Sequence, residues 1–128
     1  MSEQYREDIA AAVARMGSKI GAGRELRDLE SELHADERVI ALVAGRHGAG
    51  NGVLALTGTR VLFLFEGLVR RTVVDIPIAE IVTVEWETGL NLGTLKLLAG
   101  GEVEVSGIDK DGGNLFVEAL NEAKPTSG

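Results

Sequence analysis

The chain has 128 residues, of which 45% are hydrophobic and none is cysteine, and its formal net charge is −7. This length and hydrophobic content predict one folded domain and exclude a wholly disordered chain. The absence of cysteine excludes disulfides, iron–sulfur clusters, thiolate zinc sites and thiol catalysis, and it fits a reducing compartment. The acidic charge is spread along the chain and repels phosphate polymers, so we expect no nucleic-acid binding.

The first part of the chain, residues 1–38, has the pattern of two short amphipathic helices. One apolar stripe recurs at helical spacing and consists of Tyr5, Ile9, Val13 and Met16. A second stripe follows the break at Gly17-Ser18 and consists of Leu26, Leu29 and Leu33. Each stripe is narrow, so each helix is expected to bury one thin face, either on the main domain or on a partner chain.

From residue 39 to residue 108 the apolar period changes to two, which predicts strands. We predict seven of them, at about 39–46, 52–57, 60–66, 71–76, 81–88, 93–98 and 102–108. The segment Glu102-Val-Glu-Val-Ser106 alternates valine with glutamate, as in a strand with one face in water. The stretches Ala49-Gly-Asn-Gly52 and Ala99-Gly-Gly101 are expected to form hairpin turns. Seven strands at this spacing predict a sandwich or a partly open barrel.

A helical pattern returns at about residues 111–123, after the last predicted strand. Asp111 is expected to cap this helix, and its apolar face consists of Leu115, Phe116, Ala119 and Leu120. The tail, residues 124–128, is expected to be disordered.

Three features in this order resemble a known family, the bacterial pleckstrin-homology (PH) domains, and the YokE-like group in particular. They are the Leu56-Thr57…Arg60 turn, the Ile76-Pro77…Ile81 step and the closing helix. The resemblance implies a mainly β fold, a PH-like seven-stranded antiparallel barrel or sandwich that is partly open and capped by a C-terminal helix. In that fold the helix plugs one open end, here with Phe116 and Leu120.

The resemblance covers about residues 36–122 and suggests how the chain is divided. We predict an N-terminal helical segment over 1–35, a PH-like barrel with its C-terminal helix over 36–123, and a tail over 124–128. No apolar run approaches the length of a membrane span, and the N-terminus lacks the pattern of a signal peptide. A cytoplasmic location is therefore expected.

No catalytic or metal-binding constellation stands out in the sequence. His34 and His47 are the only histidines, and neither has a partner at metal-ligand spacing. No serine lies in a Gly-x-Ser-x-Gly turn, and no nucleophile–base pair is evident. We therefore predict a protein without catalytic activity, metal or cofactor.

Four basic residues are predicted to gather at one end of the barrel. Arg46 and His47 end the first strand, and Arg70 and Arg71 begin the fourth. The resemblance implies that these hairpin loops meet at the end opposite the helix, where eukaryotic PH domains that bind phosphoinositides carry basic residues. Arginines at this place would hold a phosphate group or an anionic lipid head.

The leading prediction is a non-catalytic binding or scaffold module that takes a protein partner or associates with itself. The alternative is a module peripheral to the membrane that binds an anionic lipid or a phosphate ligand through the basic loops. A small hydrolase or isomerase is disfavoured, because the residues for it are missing.

Overall fold

The structure, a computed structural model, describes residues 5–16, 23–48, 50–67 and 71–124. The helices within these residues are α1 (Glu7–Ala14), α2 (Gly23–Asp28) and α3 (Lys110–Ala123). The strands are β1 (Val39–His47), β2 (Gly50–Thr57), β3 (Arg60–Glu66), β4 (Arg71–Pro77), β5 (Thr83–Thr88), β6 (Leu92–Leu98) and β7 (Glu102–Asp109). Short 3-10 turns span Leu29–Glu32 and Ile78–Glu80.

The seven strands form one antiparallel sheet in the order β4-β3-β2-β1-β7-β6-β5. Every pair of neighbouring strands is consecutive in the sequence except β1 and β7, which pair at Arg46 and Ser106. The sheet ends at β4 on one side and at β5 on the other, so the barrel is not closed between these two strands. The predicted fold class, a partly open seven-stranded antiparallel barrel with a C-terminal helix and two short N-terminal helices, is confirmed.

A bulge in β7 allows this strand to pair with β6 and with β1. Gly107 has a φ of 67°, a conformation that glycine adopts without a steric penalty. The ladder between β6 and β7 shifts register between Gly93 and Leu95, opposite this glycine. The bend joins the half of the sheet formed by β1–β4 to the half formed by β5–β7.

The inner core lies between the concave face of the sheet and α3. Phe116 and Leu120 are buried there, as expected for the residues that plug the barrel. The cap of α3 is Asp109, whose Oδ2 accepts a hydrogen bond from the Gly112 amide at 3.0 Å. The prediction of Asp111 as the cap was wrong, because the helix begins earlier and Asp111 lies in its first turn.

A second core lies on the outer face of the sheet, under the N-terminal segment. Its buried residues from the segment are Ile9, Ala12, Met16, Leu26 and Leu29. Those from the strands are Val39, Leu42, Val53, Ala55 and Leu62. The two predicted apolar stripes thus pack on the barrel of the same chain. Of the two expected docking places, the main domain and a partner chain, the structure shows the main domain.

Two local predictions were wrong. The first hairpin turns at Gly48, with a φ of 61°, and Asn51 already lies in β2, so the turn comes earlier than predicted. The fifth strand begins at Thr83, two residues later than predicted, so Val82 precedes it and is 70% exposed. The amide of Val82 donates to the carbonyl of Leu98 at 2.7 Å, which departs from the regular ladder of β5 and β6.

Candidate functional site

The Leu-Thr-x-x-Arg turn carries a buried ion pair. Arg60 donates through Nε and Nη2 to the two carboxylate oxygens of Glu37, at 2.8 and 2.9 Å. It also donates to Oδ2 of Asp75 at 2.8 Å and to the carbonyl of Glu32 at 2.7 Å. The side chains of Arg60 and Glu37 are only 13% and 4% exposed. This arginine is therefore committed to partners within the chain and is not available to a ligand.

Hydrogen bonds and charge explain why Glu37 stays ionised at this site. Thr57 Oγ1 donates to Glu37 Oε2 at 2.8 Å, and the amide of His34 donates to Oε1 at 3.0 Å. The Arg60 guanidinium and these donors lower the pKa of Glu37 from 4.5 to about 2, despite its burial. The pKa of Arg60 is raised by the same pairing.

A second ion pair holds the start of α1 against the start of β1. Arg6 donates to both carboxylate oxygens of Asp8, at 2.6 and 2.7 Å, and to the carbonyl of Glu37 at 2.6 Å. Asp8 Oδ2 accepts a hydrogen bond from the amide of Val39 at 2.6 Å. These contacts lower the pKa of Asp8. Both ion pairs link the N-terminal segment to the barrel.

The structure separates the basic residues that the sequence predicted to gather. Arg46 lies exposed on the outer face of β1 and makes one long hydrogen bond, from Nε to the carbonyl of Gly48 at 3.4 Å. His47 faces the other side of the strand, where its ring centroid lies 5.4 Å from that of Phe63. Its Nδ1 lies 3.0 Å from the carbonyl oxygen of Glu104.

Arg71 lies on the outer face of β4 and forms an ion pair with the N-terminal segment. Its Nη2 lies 2.7 Å from Glu32 Oε2. The strands β2 and β3 separate it from Arg46, and three inter-strand spacings amount to about 14 Å. Arg70 lies outside the described residues. Arg71 is thus paired with Glu32 and His47 faces the other side of the sheet, and the anion site at these residues stays a prediction.

Carboxyl groups lie close to Arg71 and weaken the positive potential there. Glu25 is buried, and its Oε2 accepts a hydrogen bond from the amide of Glu66 at 2.8 Å. A hydrogen bond with the carboxyl group of Asp28, together with burial, raises the pKa of Glu66. This end of the sheet thus combines arginines with acidic groups instead of presenting a purely basic surface.

The edge strand β5 presents unpaired backbone groups. The amide of Gly89 donates to the carbonyl of Leu92 at 2.8 Å, which fixes the hydrogen-bonded pairs of the hairpin. Because such pairs alternate along antiparallel strands, the backbone groups of Val84, Trp86 and Thr88 point away from β6. Among the described residues, β5 has a ladder with β6 alone.

The opposite edge, β4, is better protected against an added strand. The amide of Ile78 donates to the carbonyl of Thr59 at 2.9 Å, and the same alternation directs Pro77 to the free edge. Proline has no amide hydrogen to offer at an edge. Glu32 of the N-terminal segment also contacts Arg71, the first residue of this strand. The same alternation directs the backbone groups of Val73 and Asp75 to this edge, so β4 is protected mainly at its ends, whereas β5 has neither a proline nor a contact with the described N-terminal segment.

Trp86 holds β5 against α3. Its ring lies so close to Gly93 and Gly113 that a β-carbon at either position would clash with it. Its Nε1 donates to Oδ1 of Asn114 at 2.8 Å. The edge strand is thus fixed in place by an aromatic side chain that only glycine neighbours accommodate.

No helix among the described residues has the length and apolar character needed to cross a membrane. Within the same ranges, no group of three or more histidine, aspartate or glutamate side chains is placed to hold a metal ion.

A solved structure shares the fold of this chain. The chain is similar to the Vps36 N-terminal PH domain, with a TM-score of 0.53 and 20% sequence identity, over 71% of this chain and 81% of that one. The likeness shows a PH-like fold. No protein-family profile and no curated protein matches the sequence.

Proposed function

We propose that this protein is a non-catalytic binding or scaffold module and that its partner is a protein chain, including a second copy of itself. The observation that carries the proposal is the free edge of β5, where Val84, Trp86 and Thr88 offer unpaired backbone groups. An extended segment that pairs with such an edge gains a ladder of main-chain hydrogen bonds. A PH-like fold is compatible with this role, since it presents loops and sheet edges to a partner.

The charges beside this edge indicate which segments it prefers. Glu85 and Glu87 are exposed on the outer face of β5. Lys96 is the cross-strand neighbour of Glu85, whereas Glu87 lies opposite Thr94 and has no basic neighbour in the register. We expect an added strand with lysine or arginine at alternate positions, because cross-strand pairs of opposite charge stabilise a sheet.

The test is to block the edge without changing the core. Thr88 is exposed, so Thr88→Pro removes one edge amide and obstructs pairing, whereas Thr88→Val keeps the amide and serves as the matched control. The measurements are sedimentation velocity over a concentration series and peptide selection from a random display library. We expect self-association or selected basic peptides with the wild type and Thr88→Val, and loss of either with Thr88→Pro. A concentration-independent monomer that selects no peptide would contradict the proposal.

The resemblance to bacterial PH domains of the YokE-like group belongs to the same proposal, and it rests on the Leu56-Thr57…Arg60 and Ile76-Pro77…Ile81 motifs. The cysteine-free composition supports a cytoplasmic location. The alternative ligand class, an anionic lipid or phosphate held by Arg46, His47, Arg70 and Arg71, is less favoured, because Arg71 is paired with Glu32 and His47 packs beside Phe63 on the other side of the sheet.

A further inference from the structure

A polar cleft of about 570 Å³ lies where β1 meets β7, beside the turn between β5 and β6. Its polar side chains are Arg46, Asn51, Asn91, Ser106 and Asp109. Leu92 and four small residues, namely Ala44, Gly45, Gly52 and Gly107, line the rest of the cleft. The volume is in the range of ordinary ligand sites, and the small residues allow a ligand to approach the backbone closely.

Strand register explains why three of these polar side chains share one face. Arg46 is the cross-strand partner of Asn51 on β2 and of Ser106 on β7. Directly opposed residues of antiparallel strands project to the same side of the sheet. Asn51, Arg46 and Ser106 therefore form a row across three strands, on the outer face. The described part of the N-terminal segment covers the outer face farther along the sheet and does not line this cleft.

Opposite charges line the cleft without neutralising each other. Arg46 forms no ion pair among the described residues, and its one hydrogen bond, to the Gly48 carbonyl, is long at 3.4 Å. Asp109 uses Oδ2 to cap α3, whereas its Oδ1 has no hydrogen-bond partner within the described ranges. Ser106 and Asp109 lie on either side of the bulge at Gly107. A ligand that fits both ends needs an anionic acceptor for Arg46 and a hydrogen-bond donor for Asp109.

Apolar side chains at the rim of the cleft indicate that its ligand also carries an apolar group. Leu92 lines the cleft and is 55% exposed, and Leu90 is 89% exposed on the same turn. Two exposed leucines beside a polar cleft favour a ligand with an apolar group next to its charged one. The overall charge of −7 also disfavours a multiply charged anion.

We infer that this cleft binds the C-terminal end of a polypeptide whose last residue is apolar. The terminal carboxylate accepts hydrogen bonds from Arg46, Asn51 and Ser106. A guanidinium can donate two parallel hydrogen bonds to one carboxylate. A main-chain amide of the same segment donates to Asp109, and the terminal side chain packs on Leu92. This inference rests on the proposed protein-binding function and gives it a second surface, separate from the β5 edge.

The experiment is a titration of isotope-labelled protein with a short peptide, acetyl-Gly-Ser-Gly-Ser-Val-Leu, followed by amide chemical shifts. The free-acid peptide is expected to shift the amides of Gly45, Asn51 and Gly107, and the peptide with a C-terminal carboxamide is expected not to. Arg46→Gln should weaken binding at least about tenfold, because a charge-assisted bond is lost. Arg38→Gln is the matched control, since Arg38 is also exposed but lies outside the cleft.

Each other outcome overturns the inference. Equal shifts with acid and carboxamide would exclude carboxylate recognition, and saturation by free leucine or octanoate at the same concentration would indicate a small-molecule site. Asn51→Ala provides a second variant if Arg46→Gln alters the fold, and unchanged affinity in the folded variants would reject the site. Binding lost in Thr88→Pro but kept in Arg46→Gln would reject the cleft while supporting the β5 edge. Absence of any shift would reject the cleft and leave the edge proposal to its own test.

Discussion

At the scale of single residues, the side chains with the most interactions serve the fold. Glu37 contacts Arg60, Thr57 and the His34 amide, and its carbonyl contacts Arg6. These groups come from the N-terminal segment, the β2–β3 turn and the approach to β1. Removing Arg60 would leave the Glu37 carboxylate buried without an opposite charge, and an uncompensated buried charge strongly destabilises the folded state.

Removing the Arg60 side chain should therefore destabilise the protein strongly. We expect Arg60→Met to lower the free energy of unfolding by about 3–5 kcal/mol, since Glu37 would stay buried without its cation. Urea denaturation followed by circular dichroism measures the change. Arg71→Gln is the control, because the Arg71–Glu32 pair is 40% and 23% exposed and exposed pairs contribute about 0–1 kcal/mol. Equal effects of the two substitutions would contradict this account.

Stability should also depend on pH through Glu37. Its folded-state pKa of about 2 lies below the ordinary 4.5, so the ionised form stabilises the fold. This contribution is fully present above pH 4.5 and is lost as the pH falls toward about 2. Glu37→Gln should flatten the stability profile in this window, measured by urea denaturation at several pH values. An unchanged acid slope in the variant would show that other carboxyl groups are responsible.

Glu66 should behave in the opposite sense. The neighbouring Asp28 carboxyl and burial raise its pKa, so the protonated form is favoured in the folded state. The contribution of Glu66 to folding stability is present at low pH and is lost as the pH rises through its raised pKa. Glu66→Gln should therefore have its most favourable effect at pH values above the raised pKa of Glu66. The same denaturation series measures this, and a larger gain at acidic pH would refute the assignment.

At the scale of elements, the N-terminal segment is part of the folded unit. Leu29 is fully buried between the 3-10 turn and the outer face of the sheet. Leu29→Ala should lower the free energy of unfolding by about 2–5 kcal/mol, as for other buried leucines. Leu115→Ala is the control, because Leu115 is 51% exposed. Thermal unfolding measures both, and similar losses would mean that the outer core contributes little.

The elements were largely predictable, and the reasons differ between them. Alternation along β6 and β7 and the Phe116–Leu120 spacing in α3 are local patterns, and these elements were predicted within a residue or two. The strand β2 reads as a continuous apolar run because both of its faces are covered. The division into 1–35, 36–123 and 124–128 stays a prediction.

The candidate site was much less predictable, because it depends on distant residues. Glu37 lies in a charged stretch, Asp36-Glu37-Arg38, that looks solvated in sequence, and only the fold brings Arg60 to it. Asn51 was assigned to a turn, so its alignment with Arg46 was missed. Arg71 was predicted to be available, and its partner Glu32 lies in a segment whose docking the sequence did not specify.

At the scale of the whole molecule, the charge distribution decides between partners. The net charge is −7, and acidic groups lie beside Arg71. We therefore expect no salt-dependent co-sedimentation with vesicles rich in phosphatidylserine, beyond that with neutral vesicles. Arg71→Glu should leave the result unchanged. Binding that requires anionic lipid, fades with salt and is lost in Arg71→Glu would instead support the membrane-surface alternative.

The second core makes the two halves of the sheet unequal. The strands β2 and β3 carry buried side chains on both faces, whereas β5 has exposed or half-buried residues throughout. Amide hydrogens in β2 and β3 should exchange with solvent only when the whole molecule unfolds, and those of β5 should exchange through smaller openings. The edge available to a partner then opens more easily than the centre of the sheet. A bound strand would slow its exchange first.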